Sequence, residues 1–543
     1  MTSVAPRWVT GVFGAAAVIA VITLFARLVG FLRTAVLGQT LGADCLGSAY
    51  TTANAVPNVV FEVVVGGALA GAVVPLLAGA VARGDHELVR ASVRALTGWV
   101  LLLLVPTAVV VALAAGPIVN VLLGDGGGCS RNEVGSVAAS MLAVFAIQIP
   151  IYGLTVVAQG TLQAHHRFVA PAVAPLVSSL VVIAAFGAYW IESGDSRGSI
   201  GALSDLGLYL LAWGTTVGVL ALWVTQWHGL AGRRLLLLRP TLRFPDGVAV
   251  RARRLAAAGA ATVAAQWLAF GVGYRLANER GIAGAALIYT LAWTVFLLPY
   301  AVLAYPVATS AFPRLAAQFD RGDATGFAAT CASTLRAVVV AGALGAAGVL
   351  ATCQVMADVM LLGARGPDQT PVLAEALIGF APGVWGFAVA SHVSRILYAR
   401  HRGRLAAATI GGGWVLGVAV AIGTTAAVSS VAAVTALGAS VSVGMLVAGV
   451  ASLWLVRRVV GREAVAGLSR TLTAGLVACV LSAGTGLLVA AVVGDPHRWW
   501  VAVALTVLIG SVVVATFALA MVVLDRESAR LLGARLRRPR AAD

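Results

Sequence analysis

The chain has 543 residues, of which 60% are hydrophobic and only 11% are charged, and its mean hydropathy is +0.96. Soluble domains are about 45 to 50% apolar and about 25% charged, so an ordinary soluble enzyme, a disordered chain and a disulfide scaffold are excluded. This much apolar surface requires lipid as its solvent. The formal net charge is +16, and all 37 basic residues are arginines. The positions of the arginines therefore decide what the charge means.

Long apolar runs predict fourteen membrane helices, each close to the roughly 20 residues that cross a bilayer. The predicted spans are 9–36, 54–80, 95–123, 134–160, 168–191, 203–227, 255–277, 284–312, 333–360, 371–394, 405–427, 430–456, 471–493 and 499–524. We therefore expect an all-α polytopic membrane protein. An even number of spans places both termini on one side of the membrane.

The loops between the predicted spans alternate in charge. One set holds nearly all the arginines, and the alternate set holds few arginines together with several acids. Cytoplasmic loops of membrane proteins are enriched in basic residues. We therefore predict that the arginine-rich loops and both termini are cytoplasmic.

Three arginines do not belong to any loop. Arg27, Arg33 and Arg275 fall inside or at the edge of predicted spans. A charge at the centre of a membrane helix costs at least about 2.5 to 3.5 kcal/mol and is normally turned towards a cavity. These arginines are the first functional candidates.

Two segments of the chain look like copies of each other. They are VPNVVFEVVVGGALAGAVVPLLAGAVARGD (56–85) and LPYAVLAYPVATSAFPRLAAQFDRGD (298–323). Both are Pro-led and end in Pro-x7-Arg-Gly-Asp, from Pro75 to Arg83 and from Pro313 to Arg321. Repeated halves with broken helices are a pattern of transporters with a midplane site. The alternative is two unrelated proline-kinked helices.

The repeat and the charge pattern predict five regions. They are a lobe of spans 1 to 6 (1–227), a cytoplasmic arginine-rich linker (228–254), a lobe of spans 7 to 12 (255–456), two added spans (457–524) and a basic cytoplasmic tail (525–543).

Four stretches of the sequence carry a family resemblance. They are ARLVGFLRTAVLGQTLGA (26–43), AYTTANAVPNVVFEVVVGGALAGAVVPLL (49–77), GTLQAHHRFVAPAVAPLVSSLVVI (160–183) and LPYAVLAYPVATSAFPRLA (298–316). The third is the most specific, and SRILYARHRGR (394–404) is a weaker echo. With the fourteen spans, they resemble the MurJ/MviN family of lipid II flippases in the multidrug/oligosaccharidyl-lipid/polysaccharide exporter superfamily.

The resemblance implies a fold and an activity. Two pseudo-repeated lobes are expected to form a V around a central cationic cavity in the bacterial plasma membrane. The cavity would take the diphosphate head of lipid II from the cytoplasm and release it outside, while the undecaprenyl tail follows a groove of the two added spans at 457–524. The implied partners are lipid II, membrane lipids and cell-wall synthesis proteins, with no nucleic acid, cofactor or metal.

The resemblance also carries over to individual residues. Arg27 and Arg33 match the two arginines of the first span that family members use in the cavity. Because they are six residues apart, they lie about 120° apart around a helix, so both face one cavity only if it is wide or the helix bends. Asn54 and Glu62 of the second span and Arg275 of the seventh complete the predicted substrate-binding set. Glu62 is a candidate ion-pair partner of Arg27 or Arg33.

Three positions depart from the family pattern. The acid that many members carry before the aromatic residue of the second span is Ser48 here. The arginine that some members have after the Pro-Asn of that span falls at Phe61 or Glu62, and a further cavity arginine of the eighth span falls near Thr294. Asp44 cannot be assumed to replace the lost acid. The changes at Ser48 and Thr294 keep open the alternative of a non-transporting scaffold for cell-wall synthesis. A second alternative, with the same fold, is an exporter of another lipid-linked glycan.

Catalytic and metal motifs are missing from the sequence. It has no nucleophile elbow, no Gly-Lys phosphate loop and no Cys/His metal spacing, so we predict that the chain is not an enzyme. Cys45 and Cys129 both fall in predicted outer loops, where a disulfide persists once formed. The sequence leaves that pairing open.

Overall fold

The computed structural model describes the backbone of residues 12–63, 70–123, 129–196, 198–231, 240–245, 248–362, 364, 369–494, 496 and 498–525. Within these ranges, the side chains of residues 12–20, 70–72, 75, 78, 82, 231 and 250–262 are not described. The predicted basic tail therefore lies outside the described residues, apart from Asp525.

The described residues are helical and contain no strand, which confirms the all-α prediction. The α-helices are α1 (Val12–Leu41), α2 (Cys45–Val60), α3 (Ala70–Ala82), α4 (His86–Leu113), α5 (Ala115–Leu123), α6 (Arg131–Phe145), α7 (Gln148–Ala164), α8 (Val169–Ser193), α9 (Asp205–Ala231), α10 (Val248–Arg280), α11 (Ala285–Pro299), α12 (Tyr305–Asp320), α13 (Ala324–Leu361), α14 (Thr370–Ala399), α15 (Gly403–Thr425), α16 (Ala433–Val459), α17 (Leu468–Val493) and α18 (Trp499–Leu524). In lipid, a helix is favoured because it satisfies its own backbone hydrogen bonds.

Twelve helical segments among the described residues are long and apolar enough to cross a membrane. The predicted spans 54–80 and 255–277 are not among them. Residues 64–69 of the first lie outside the described residues, and so do the side chains of 250–262 that precede and begin the second. The count of fourteen therefore stays a prediction.

Some helices extend beyond the predicted spans. The span predicted at 371–394 lies in α14, which continues to Ala399, and α13 begins nine residues before its predicted span. Hydropathy marks only the part of a helix that lipid surrounds, whereas the backbone hydrogen bonds continue into the interface. Arg395, one residue beyond the predicted span 371–394, consequently lies inside α14.

The chain forms two compact units, Met1–Gly271 and Val272–Asp543. The division falls within α10 rather than in the predicted linker. Of that linker, residues 232–239 and 246–247 lie outside the described residues. The five predicted regions remain a prediction at the level of their individual boundaries.

The described part of the linker packs on α4 in the first unit. The Thr241 backbone N–H donates to the Arg94 carbonyl at 3.1 Å, and the Trp99 indole N–H donates to the Leu242 carbonyl at 3.0 Å. A Cβ added at Gly98 would lie 2.2 Å from the Thr241 carbonyl oxygen. The absence of a side chain at Gly98 therefore permits the linker to approach the helix.

Buried aromatic rings organise the interior of the first unit. Tyr50 of α2 meets Phe145 of α6 and Phe186 of α8 edge to face, each with ring centroids 5.7 Å apart. The Tyr50 hydroxyl pairs with the Thr215 hydroxyl of α9 at 2.8 Å. Tyr50 thus connects four helices and keeps a polar partner for its buried hydroxyl.

In the second unit, glycines bring α14 against α16. A Cβ added at Gly379 or Gly386 would lie 2.6 Å from the Thr435 carbonyl oxygen or 2.3 Å from the Met445 carbonyl oxygen. Small residues of this kind allow membrane helices to pack backbone to backbone. The glycine spacing of α14 therefore allows its close contact with α16.

The Pro-x7-Arg-Gly-Asp segments form matching turns in the two units. The Asp85 carboxylate accepts the Leu88 backbone N–H at 3.0 Å, and the Asp323 carboxylate accepts the Gly326 N–H at 2.8 Å. The glycine of each turn has a φ of 71°. Each aspartate caps the helix that follows, α4 or α13, which supports the interpretation of the two segments as copies.

A second pair of turns also matches, although the sequence interpretation did not connect them. The Arg167 N–H donates to the Leu162 carbonyl at 2.9 Å, and the Arg402 N–H donates to the Leu397 carbonyl at 2.9 Å. The histidine before each arginine has a φ of 57°. The repetition therefore extends from the α3–α4 and α12–α13 turns to the α7–α8 and α14–α15 turns.

Candidate substrate-binding site

Arg33 lies on the inward side of α1. It follows Val29 by four residues and Ala26 by seven, so the three share one helical face, and both apolar residues are only 7% exposed. Arg33 itself is exposed. Arg33 is therefore an accessible cation on an otherwise buried face of α1.

Two tyrosines, the buried Tyr50 of α2 and the half-buried Tyr152 of α7, accompany Arg33. Both hydroxyl groups lie within electrostatic range of the guanidinium. Among the described residues, no carboxylate lies within ion-pair distance of Arg33. The arrangement offers a guanidinium and neutral hydroxyls to an anion that comes from outside the chain.

Arg27 lies on a different face of α1. It follows Leu24 by three residues, and Leu24 is 47% exposed. Arg27 is itself exposed. The structure therefore separates the two predicted arginines by helical face and brings only Arg33 to the tyrosines.

Asn54 and Glu62 lie on the second predicted span, on either side of Pro57. The α2 helix passes into a short π-helical segment at residues 61–63, a feature that often occurs at functional sites. Asn54 is half-buried and shares its helical face with Asn58 and Phe61. The Phe61 ring packs against Tyr152 with centroids 4.4 Å apart.

Glu62 reaches the same tyrosine as Arg33. It is half-buried, and its charge acts on the Tyr152 hydroxyl. Among the described residues, Glu62 forms no ion pair with Arg27 or Arg33. Tyr152 therefore lies near both Arg33 and Glu62. No sequence pattern singles it out, because its partners lie in other helices.

Arg275 belongs to the second unit and to α10. Its Nε lies 3.3 Å from Oε2 of Glu279, and the Arg280 Nε lies 3.9 Å from Oε1 of the same carboxylate. The Arg275 side chain is 43% exposed. Arg275 thus has an acidic neighbour one turn away, which weakens its attraction for an anion.

Two departures from the family pattern leave neutral side chains in place. Ser48 is buried, and the Thr294 hydroxyl donates to the Thr290 carbonyl of its own helix at 2.9 Å. The Asp44 carboxylate caps α2 by accepting the Cys45 backbone N–H at 2.8 Å. The Asp44 carboxylate therefore serves as the N-cap of α2.

Cys45 and Cys129 form a disulfide, with their Cα atoms 5.6 Å apart. The bond ties the start of α2 to the segment before α6. Asp44 completes a group of three ligand-type side chains there. Because the two sulfurs are bonded to each other, they lack the thiolates that a metal ion would need.

Comparison with known proteins identifies the family. A family model described as Lipid II flippase MurJ matches residues 37–520. The chain belongs to the MurJ family. Twelve apolar helices among its described residues and this membership make it an integral membrane protein of a flippase family.

Individual MurJ relatives match parts of the chain. A probable lipid II flippase MurJ from Synechocystis sp. is 28% identical over 211 residues, which cover 39% of this chain and 38% of the relative. A lipid II flippase MurJ from Burkholderia cenocepacia is 27% identical over 213 residues, which cover 38% of each chain. The chain thus aligns with less than half the length of these MurJ relatives.

Solved structures confirm the fold. A lipid II flippase MurJ in an inward closed conformation matches with a TM-score of 0.72 at 15% identity, over 94% of this chain and 99% of that chain. A multidrug resistance MATE family transporter of the MOP superfamily, in an inward-facing conformation, matches with a TM-score of 0.66 at 14% identity, over 82% and 98%. The predicted MurJ-like helical fold is therefore confirmed.

Proposed function

We propose that this chain moves lipid II, the lipid-linked peptidoglycan precursor, from the cytoplasmic to the outer leaflet of the bacterial plasma membrane by alternating access. The family match across residues 37–520 supports the substrate class. The similarity to an inward-facing MATE transporter supports alternating access. Both termini are cytoplasmic in this proposal, as the arginine-rich loops predict.

The observation that carries the proposal is the unbalanced charge of Arg33. An arginine binds phosphate oxygens through two parallel charge-assisted hydrogen bonds. Arg33 is exposed on the inward face of α1, lies within electrostatic range of Tyr50 and Tyr152, and has no carboxylate partner among the described residues. These properties suit the diphosphate of a lipid-linked sugar.

The remaining candidates take supporting roles. Arg27 binds the same head from a wider angle, Asn54 supplies neutral hydrogen bonds, and Arg275 adds charge in the second unit. Glu62 pairs with an arginine after the diphosphate leaves, because a carboxylate then replaces the phosphate as the nearest anion. The α17 and α18 helices hold the undecaprenyl tail, and lipids and cell-wall synthesis proteins are the partners.

The proposed activity makes and breaks no covalent bond. Binding the diphosphate more tightly on the cytoplasmic side than on the outer side would not by itself move it uphill. The membrane potential or an ion or substrate gradient therefore drives the transport, and the chain acts as a transporter rather than an enzyme.

Complementation tests the proposal. The resident flippase of a tractable bacterium is depleted while this chain or its Arg33→Ala, Arg27→Ala or Arg90→Ala variant is expressed at equal membrane levels. Arg90 is exposed on α4 and serves as the matched control. Loss of a charged hydrogen bond is worth about 1.5 to 3 kcal/mol, so Arg33→Ala should lose about 10-fold or more of the flux.

The outcomes separate the candidate functions. Growth with the parent chain and with Arg90→Ala, but not with Arg33→Ala, supports transport through the arginine site. Equal rescue by Arg33→Ala and Arg27→Ala contradicts that site. Failure of the parent chain at normal membrane levels favours a non-transporting scaffold, for which the neutral Ser48 and Thr294 give a reason.

A further inference from the structure

A second arginine site lies in the other unit, near the end of α14. Arg395 is half-buried, four residues before the helix ends at Ala399. Its Nη1 donates to the Tyr300 hydroxyl at 3.2 Å and to the Ser391 carbonyl at 3.4 Å. The guanidinium also lies over the Tyr305 ring, 5.0 Å from its centroid. Three neutral groups therefore hold the side chain in place.

The charge of Arg395 is not balanced by these contacts. Its described partners are a hydroxyl, a carbonyl and an aromatic ring, and among the described residues no carboxylate lies within ion-pair distance. A guanidinium has five N–H donors, and Nη1 makes both of the direct contacts. The site thus retains donors for an anion from outside the chain.

Arg395 lies near one end of a helix that can cross a membrane. It stands four residues before the last residue of the candidate span Thr370–Ala399. The ends of such helices meet the headgroup region of the bilayer. The position of Arg395 therefore suits contact with a lipid phosphate.

An apolar surface adjoins the site. Val302, Tyr305 and Phe312 follow one another along the π-helical segment Tyr300–Ala304 and α12, and they are 37%, 40% and 38% exposed. Residues three and seven apart lie on one side of a helix. A ligand with an anionic head and a long apolar chain fits this combination better than a free phosphate does.

We infer that Arg395, positioned by Tyr300 and Tyr305, is a phosphate-binding subsite of the second unit for a lipid-anchored diphosphate. The identity of the lipid rests on the proposed function, but the binding itself does not depend on transport. The subsite lies near the cytoplasmic end of α14, where it receives the diphosphate before the head enters the membrane. Tyr300 begins the π-helical segment and holds Nη1 of Arg395, so the anion binds the remaining guanidinium donors beside that segment.

Binding of undecaprenyl diphosphate to the full-length protein in phosphatidylcholine nanodiscs tests the inference. The Arg395→Ala variant should bind roughly 10-fold more weakly, as expected for a lost charge-assisted hydrogen bond. Arg404→Ala is the matched control, because Arg404 is an exposed arginine of α15 near the same end of α14. The Arg404→Ala variant should bind like the parent. Inorganic pyrophosphate and phosphatidylglycerol nanodiscs are the comparison ligands.

Each result supports or overturns the subsite. A selective loss in Arg395→Ala, with smaller losses for phosphatidylglycerol, supports it. Equal losses in Arg395→Ala and Arg404→Ala show a diffuse electrostatic effect and overturn it. A loss confined to phosphatidylglycerol indicates a general headgroup contact and also overturns it. Binding of pyrophosphate by the parent as tight as that of the lipid shows that the tail adds nothing and overturns the lipid assignment.

Two further variants protect the test from misfolding. Arg395→Lys keeps the charge but loses the bidentate geometry, and Tyr300→Phe removes only the hydroxyl acceptor. Both should weaken binding less than Arg395→Ala, and parent-like binding by all three variants contradicts the inference. If Arg395→Ala binds normally while the parent chain rescues growth, the subsite fails and the proposed function stands. If the parent chain fails to rescue growth but the binding loss in Arg395→Ala is selective, the subsite stands and the proposed function fails.

Discussion

Asp525 shows how one buried polar residue holds two helices together. It follows α18 and is only 2% exposed, and its Oδ2 accepts the Thr471 hydroxyl of α17 at 2.8 Å. The Arg470 guanidinium donates to the Leu524 carbonyl and lies 3.9 Å from the other carboxylate oxygen. A buried carboxylate is tolerated only when its oxygens are paired in this way.

The Thr471→Val variant tests that pairing. Valine keeps the shape but removes the hydroxyl donor, so the free energy of unfolding should fall by about 1 to 3 kcal/mol. Thr473→Val is the control, because the Thr473 hydroxyl is exposed and donates only to the Arg470 carbonyl. Denaturant or thermal unfolding in detergent micelles measures both, and equal destabilisation would contradict the role of the buried bond.

The arginines of α1 illustrate what single residues reveal and conceal. Their position inside an apolar run is visible in the sequence, and it singles out Arg27 and Arg33. Which of them faces the interior of the unit depends on the neighbours of each helical face, since Ala26 and Val29 are buried and Leu24 is not. The choice of Arg33 thus required the packed structure.

At the scale of elements, a hydroxyl of α16 forms hydrogen bonds with two backbone groups of α14. The Ser442 hydroxyl donates to the Gly379 carbonyl at 2.6 Å and accepts the Gly383 N–H at 2.9 Å. These two backbone groups are four residues apart, the spacing of backbone hydrogen bonds in an α-helix. The contact lies beside Pro382, inside the continuous helix α14, where a proline commonly disturbs the hydrogen-bond ladder.

The Ser442→Ala variant should destabilise the protein by about 1 kcal/mol, because interhelical hydrogen bonds in membranes average about 0.6 kcal/mol and reach about 1.7. Direct pairing of the Gly383 N–H with the Gly379 carbonyl limits the loss of stability. Ser452→Ala on the same helix is the control, since the Ser452 hydroxyl is buried without a partner among the described residues. Its removal should leave the unfolding midpoint unchanged or raised, and a drop in Ser452→Ala as large as that in Ser442→Ala would refute the prediction.

The α7–α8 and α14–α15 turns of the two units each use an arginine side chain to bind a backbone carbonyl of another helix. The Arg167 guanidinium donates to the Gly229 carbonyl near the end of α9, and the Arg400 guanidinium donates to the Val459 carbonyl at the end of α16. Each turn is thereby attached to the C-terminal end of another helix in its own unit. The two turns therefore make similar contacts in the two units, which comparison of the sequence segments did not reveal.

For the whole molecule, the disulfide provides a test of membrane orientation. The loops that hold Cys45 and Cys129 are predicted to be outside, where disulfides persist. The described free cysteines, Cys331, Cys353 and Cys479, are all buried and should contribute little labelling by a polar thiol reagent.

A membrane-impermeant maleimide should therefore label Cys45 and Cys129 in intact cells only after treatment with an impermeant reductant. An Arg83→Cys substitution, made in a Cys45→Ser, Cys129→Ser background, should react only after the membrane is opened, because its turn is predicted to be cytoplasmic. Peptide mass spectrometry identifies the labelled sites. Labelling at position 83 in intact cells would reverse the predicted orientation of both termini.

Much of the fold could be predicted because it depends on local properties. The proportion of apolar residues determines that lipid is the solvent, and lipid requires a helical backbone. The distribution of arginines predicts the orientation, and the repeated Pro-x7-Arg-Gly-Asp segments predict two related halves. Each of these properties is carried by neighbouring residues in the chain, so no tertiary contact is needed to read it.

Only the tertiary structure decided which distant residues meet. Separate helices pack in a particular rotation and register, and this packing brings distant residues together. The resulting pairs are Arg33 with Tyr152, Arg395 with Tyr300, Cys45 with Cys129, and Ser442 with the α14 backbone. Hydropathy does not encode that rotation, since lipid accepts any apolar face equally. The amino-acid composition therefore determined the solvent and the secondary structure, and helix packing determined the sites.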